Sequence, residues 1–192
     1  MTRDEAFKIL EELKNSENMK KHGLAVGFAM AALYDYFQKN NPPADGPEMK
    51  KGDWEIAGIL HDADYEITNK SLDRHTEETT KKLKEIKADQ LIINAIRCHC
   101  DKAERKTLMD KSIYACDELT GLIVAAALVQ PDKKLKSVSA ESVMRKFKDK
   151  SFAAGANRDQ INTCETGLKI NLEKFVGIVL TAMQKNSEDL GL

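Results

Sequence analysis

The chain carries almost no surplus charge. Its 30 lysines and arginines face 31 aspartates and glutamates, for a formal net charge of −1 over 192 residues. Such a balance gives no global field for nucleic acid or an anionic lipid surface, so any phosphate recognition must be local. No apolar run reaches membrane-spanning length; the stretch 122–129 is about two helical turns of buried core. The start is acidic and amphipathic, without the charged-then-apolar layout of a secretory leader, and a cytoplasmic location is expected. The only cysteines are Cys98, Cys100, Cys116 and Cys164. None forms a CxxC pair, and a chain of this size does not need disulfide staples, so reduced thiols are expected. Strand signals are nearly absent, and internal repeats and low-complexity tracts are missing. So is any Gly-x-Ser-x-Gly or Cys-His pattern of nucleophilic catalysis.

What remains is a helical protein. Apolar residues make up 42% and charged residues 32% of the chain, enough for one well-buried core. Thr2 and Glu5 form a capping box for a first helix with Phe7, Ile9, Leu10 and Leu13 on its apolar stripe. Ser16 is expected to cap a longer helix carrying Leu24, Phe28, Ala31, Ala32 and Tyr34, with His22 in its early turns. The segment 40–52, with three prolines and two glycines, is expected to be a surface loop near a site. Asp53 is placed as the cap of the next helix, Ser71 as the cap of a helix with His75 in its first turns, and Asp89 as the start of another ending at His99. A long buried helix over 108–129 holds Asp117 and is ended by Pro131. Beyond it come a basic amphipathic helix over 139–148, a small-residue connector at 151–155, a capping box at Asn157 and Gln160, and a last helix capped by Asn171. The tail after Asn186 is expected to fray.

The chemistry concentrates where apolar Ile56–Leu60 runs into His61, Asp62 and, two residues on, Asp64. Polar groups at the end of a core-facing segment cost desolvation free energy unless they are paired. Neighbouring residues diverge by about 100° on a helix, so His61 and Asp62 converge on one point only near a helix end. The chain has four histidines, His22, His61, His75 and His99. With Asp62 and Asp117 they make six donors from five predicted helices, a pattern that fits a metal site inside a bundle. Imidazole and carboxylate suit Fe, Mn, Co, Ni or Zn. For any one histidine taken alone, a ring hydrogen-bonded to a carbonyl is the plainer reading. Cys98 and Cys100 flank His99, but on a helix they project to either side of it, so small buried thiols are preferred to a Cys-His cluster.

His22, the His61-Asp62 doublet behind Ala57-Gly58-Ile59-Leu60, and Asp117 together resemble the signature of the HD-domain superfamily, metal-dependent phosphohydrolases of all-α fold. Asp73-Arg74-His75 and Ala95-Ile96-Arg97-Cys98-His99 are similar to segments of its dinuclear members, which include bacterial symmetrical dinucleoside tetraphosphate hydrolases. The likeness covers an HD core of about 18–130, with 131–192 as a helical extension of the same single domain. Asp117-Glu118-Leu119-Thr120-Gly121-Leu122 and the stretch 146–155 look like a group of HD-superfamily hydrolases whose substrate is not known. The resemblance implies that His22, His61, Asp62 and Asp117 hold one ion, and that His75 and His99 hold a second with Asp62 bridging. It further implies a phosphohydrolase acting on a phosphate ester or anhydride, with His61 and Asp62 at the catalytic centre. Two ions about 3.5–4 Å apart can share a hydroxide and clamp the phosphoryl oxygens of an in-line attack.

One departure stands out. Some mononuclear nucleotidases of the superfamily have an acidic base three positions after the doublet aspartate, where this chain has Tyr65. Asp64 and Glu66 are the nearest acids, read as a loop cap or solvated charge rather than as catalysts. Glu118 points about 100° away from Asp117 and is read as a supporting or salt-bridged group. The expected partner is a small phosphorylated molecule or nucleotide, with no nucleic acid and no membrane. Its phosphate contacts are assigned to Arg74, Lys102, Lys150 and Arg158, the last two beside the connector and the helix start at Asn157. Arg145, Lys146 and Lys148 belong to the same basic stretch, for which a solvated face is an equal alternative. Two other functions share the ligand set: a dinuclear-iron oxygenase and a nucleotide- or metal-binding regulatory module without turnover. A helical scaffold with incidental histidines is the remaining alternative.

Overall fold

The Thr2 hydroxyl accepts the Glu5 amide at 3.2 Å and the Glu5 carboxylate accepts the Thr2 amide at 2.7 Å, so helix α1 (Arg3–Glu12) begins with the expected capping box. The computed structural model describes residues 1–40 and 50–192. Helix α2 (Glu17–Asn40) follows a turn in which the Ser16 hydroxyl accepts the Met19 amide at 3.3 Å, and α3 is Lys51–Leu60. Then come α4 (Glu77–Glu85), α5 (Gln90–Cys98) and the long α6 (Leu108–Leu128). The C-terminal part is α7 (Ala140–Lys148), α8 (Arg158–Leu168), α9 (Leu172–Lys185) and the single turn α10 (Ser187–Leu190). There is no strand among the described residues, and the fold is the expected all-α bundle with a helical extension.

Helices α2 and α3 meet backbone to backbone. A Cβ built on Gly58 would lie 2.6 Å from the Gly27 amide nitrogen, and one on Gly23 would lie 2.5 Å from the Ile59 carbonyl oxygen. Only glycine permits that approach, and it brings His22 on α2 alongside His61 at the end of α3. Helix α6 runs through the centre, with Ile113, Leu119, Leu122 and Ile123 fully buried. Each such side chain stabilises the fold by about 1.5–3 kcal/mol of burial. The extension packs on this core, α8 against α6 and α9 against α2, with Phe175, Val179 and Met183 fully buried.

Several local expectations are corrected. Asp53 does not cap α3: Lys50 occupies that position, and the Asp53 carboxylate reaches back to the Lys50 amide at 2.9 Å. His75 precedes its helix rather than lying inside it, because Thr76 adopts a left-handed conformation (φ 65°) before α4 starts. At Asn157 half of the capping box forms: its side chain accepts the Asp159 and Gln160 amides, but the Gln160 side chain donates to the Tyr114 carbonyl at 2.9 Å. The Asn157 amide instead donates to Glu118 at 3.0 Å. The tail is also ordered: α10 buries Leu190, and Asp189 pairs with Arg3 at 3.1 Å. Most of the expected loop 40–52 lies outside the described residues, while Asn40 ends α2 and Gly52 already belongs to α3.

Candidate metal centre

Three helices deliver the first set of donors. His22 from α2, His61 at the C-terminus of α3 and Asp117 from α6 converge, with the Nε2 of His22 and of His61 each 3.2 Å from Asp117 Oδ1. Asp62 Oδ2 lies 3.7 Å from His22 Nε2 and 3.6 Å from His61 Nε2. The other oxygen of the same carboxylate serves a second set: Asp62 Oδ1 is 3.0 Å from His75 Nε2 and 3.2 Å from His99 Nε2. All six residues singled out from the sequence are therefore gathered at one place, in two groups that share Asp62.

The ring orientations are fixed from behind. His61 Nδ1 donates to the Gly58 carbonyl at 2.8 Å, and His99 Nδ1 to the Ile96 carbonyl at 2.5 Å, each three residues back along its helix. His75 Nδ1 donates to Asp64 Oδ1 at 2.9 Å. With the protons assigned to Nδ1 by these partners, the Nε2 atoms of His61, His75 and His99 are the ones turned to the centre, where each can take a proton or a metal ion. The fully buried His61 Nε2 makes no hydrogen bond among the described residues, despite the nearby carboxylates. The His75 and His99 Nε2 atoms face each other at 2.9 Å. A contact this short between two ring nitrogens needs a shared proton or a cation between or beside them. An orphaned imidazole nitrogen and a close His-His pair beside two carboxylates fit a divalent metal ion, and imidazoles held from the far nitrogen are how metal ligands are oriented.

Electrostatics agree. Burial disfavours a charged His61 ring, but Asp62 and Asp117 outweigh it and raise its pKa to about 9. Burial also opposes charge on His75, yet hydrogen bonds to Asp62 and Asp64 raise it to about 9. Asp62 and Asp117 are driven the other way: burial would raise their pKa values, but the surrounding histidines hold both well below the carboxylate range. The cluster thus demands positive charge, which protons or a metal can supply.

Of the two readings of Asp64, the cap holds and the solvated charge does not. Its carboxylate is fully buried, accepting the Thr76 amide at 2.8 Å and the Thr79 amide at 3.1 Å besides His75. It caps the turn into α4 and orients a site histidine at once. Glu66 binds the Ser16 amide at 2.6 Å, and Tyr65 packs edge-on against His75 at 5.4 Å between ring centroids. Glu118 is tied to Asn157, so the residue after Asp117 fastens the extension to the site.

Two proposed phosphate contacts do not hold. The Arg158 guanidinium spends its donors on the carbonyls of Phe147, Asp149, Phe152, Ala153 and Ala156. Lys102 Nζ donates to the carbonyls of Asp73 (2.5 Å) and His75 (2.7 Å), pinning the segment before α4. Both cations are structural because irregular backbone leaves carbonyls that need donors. Arg74 and Lys150 keep exposed side chains. Cys98 is a buried thiol donating to the Glu104 carbonyl, as expected of a small core residue. Cys100 differs, since its sulfur lies within 4.8 Å of ring nitrogens of His75 and His99.

The fold and the cluster define an all-helical domain with a candidate metal site. The HD domain family model matches residues 19–122, which contain all six clustered residues, and the chain belongs to that family. No curated protein and no solved structure matches the chain. No helix among the described residues is long and apolar enough to cross a membrane.

Proposed function

We propose that the protein is a phosphohydrolase that holds two divalent ions and cleaves a small phosphate ester or nucleotide. One observation carries the reading: Asp62 offers one oxygen to the His22-His61-Asp117 group and the other to the His75-His99 pair. Fe, Mn, Co, Ni and Zn all suit these donors. Bound there, such ions supply an activated water and charge compensation for a phosphoryl group.

The chain's own residues do the rest. The Gly58 and Ile96 carbonyls and the Asp64 carboxylate accept the Nδ1 protons of His61, His99 and His75, so that each ring offers Nε2 to an ion that displaces its second proton. His61, His75 and His99 are at most 4% exposed as side chains and form the closed floor, whereas His22, Asp62 and Asp117 are 28%, 19% and 15% exposed. The phosphate therefore approaches from the His22 side. Arg74 and Lys150, whose side chains stay at the surface, are the contacts proposed for its remaining charge.

The test is phosphate release. Metal-stripped protein reloaded with Mn, Fe, Co, Ni or Zn is offered a panel of nucleotides and phosphate esters. Metal-dependent release from at least one of them, at equal rates with and without dioxygen, is expected. Silence across the whole panel with every metal overturns the reading.

A further inference from the structure

The ends of α3 and α5 are built alike. In each, a histidine at the helix C-terminus donates its Nδ1 proton to the carbonyl three residues back, Gly58 for His61 and Ile96 for His99. In each, the next residue is past the helix and its side chain comes back to the same centre. After His61 that residue is Asp62, and after His99 it is Cys100. Cys100 thus stands to His99 as the shared aspartate stands to His61.

The sulfur is placed to donate. It lies within 4.8 Å of ring nitrogens of both His75 and His99 and is half-buried. Its other contacts are long, 3.6 Å to the Arg97 carbonyl and 3.9 Å to the Thr76 hydroxyl. The turn beneath it is fixed: Asp101 takes a left-handed conformation (φ 62°), and the Asp101 and Lys102 amides return to the Cys98 and Arg97 carbonyls. Lys102 then clamps the Asp73 and His75 carbonyls, holding all three donors in register.

We propose that Cys100 is a sulfur ligand of the ion bound by His75, His99 and Asp62. This rests on the two-ion reading above and adds the property that distinguishes the two positions. The first is made of nitrogen and oxygen donors; the second gains a thiolate, which favours zinc and other thiophilic ions over manganese or magnesium. As the metal–sulfur bond forms, the S–H bond breaks and its proton passes to water.

Cobalt(II) is the probe, because thiolate ligation gives a near-ultraviolet charge-transfer band that nitrogen and oxygen ligands do not. The full chain, stripped and reloaded, is assayed for bound cobalt and for the band, alongside Cys100→Ser and, as a control, Cys164→Ala in α8. Wild type and the control are expected to show the band when the second equivalent binds, and Cys100→Ser to lose it while keeping the first cobalt and its unfolding temperature without metal. Preference for zinc over manganese at the second position should fall by about 10–100-fold in Cys100→Ser. Two bound cobalt ions without the band, or a band that persists in Cys100→Ser, overturn the sulfur ligand alone. Uptake of no second cobalt overturns it together with the two-ion reading.

Discussion

Asp64 and His75 are joined at 2.9 Å with neither side chain open to solvent, and this contact turns the far nitrogen of the ring toward Asp62. A carboxylate behind a metal-binding histidine raises its basicity and fixes its tautomer. Asp64→Asn can keep the oxygen shared by His75 and the Thr76 amide but loses the one that accepts the Thr79 amide, and with it the charge behind the ring. The expected result is affinity for the second ion lowered by about 10–100-fold with the first retained. Metal titration of the variant decides it, and unchanged binding of both ions would remove Asp64 from the site.

Asp62 touches both groups, so its loss should be felt by both. Asp62→Ala is expected to abolish binding of either ion, whereas His75→Ala or His99→Ala should lose mainly one. Metal analysis after gel filtration reads the ratio directly. A well-loaded wild type with only one ion per chain contradicts the two-ion arrangement.

The pH dependence of the metal-free protein follows from the raised histidines. His61 and His75 titrate at about 9 in the folded state, against about 6.5 for an ordinary imidazole. Their protons therefore contribute stability that is complete below about pH 6.5 and is lost as pH rises through about 9. Asp62 and Asp117 are depressed, so their contribution is present above about pH 4 and is lost on acidification. Melting in the presence of chelator should fall by several degrees between about pH 6.5 and 9, and saturating metal should remove that fall. A flat chelated profile over this range would show that the rings carry no such protons.

Gly58→Ala tests the helix crossing. Its new methyl would sit 2.6 Å from a backbone nitrogen of α2, and backbone cannot step aside as a side chain does. A destabilisation of about 1–3 kcal/mol in denaturant unfolding is expected. A neutral result would mean that α2 and α3 are less tightly apposed than the geometry states.

Arg158 separates a structural cation from a substrate contact. Arg158→Ala leaves several carbonyls of the connector without donors and should cost about 1–3 kcal/mol of stability. Once a substrate is found, its KM should be unchanged in folded variant protein. A raised KM at unaltered stability would return Arg158 to the phosphate.

What could be read from the sequence was local or strongly periodic. The caps at Thr2, Asp89 and Asn171 need only neighbouring residues and form as expected. The six clustered donors stood out because they interrupt apolar surroundings. Thr76 gives no sign in the sequence of its left-handed backbone, since threonine rarely adopts it, and this is why the spacing puts His75 inside a helix it precedes. The burial of Asp64 and the roles of Lys102 and Arg158 escape the sequence for a common reason: their partners are distant atoms or carbonyls of irregular backbone, which residue spacing does not encode. Regular helical angles, which point Cys100 away from His99, do not apply past the end of α5 at Cys98.

The glycine contact between α2 and α3 acts as a ruler cut to one length. The distance from His22 to His61 is set by peptide groups resting on each other rather than by side chains that repack. Changes elsewhere in the core can thus erode thermal resistance while leaving the donor spacing intact, and the ability to hold an ion should outlast much of the protein's margin of stability.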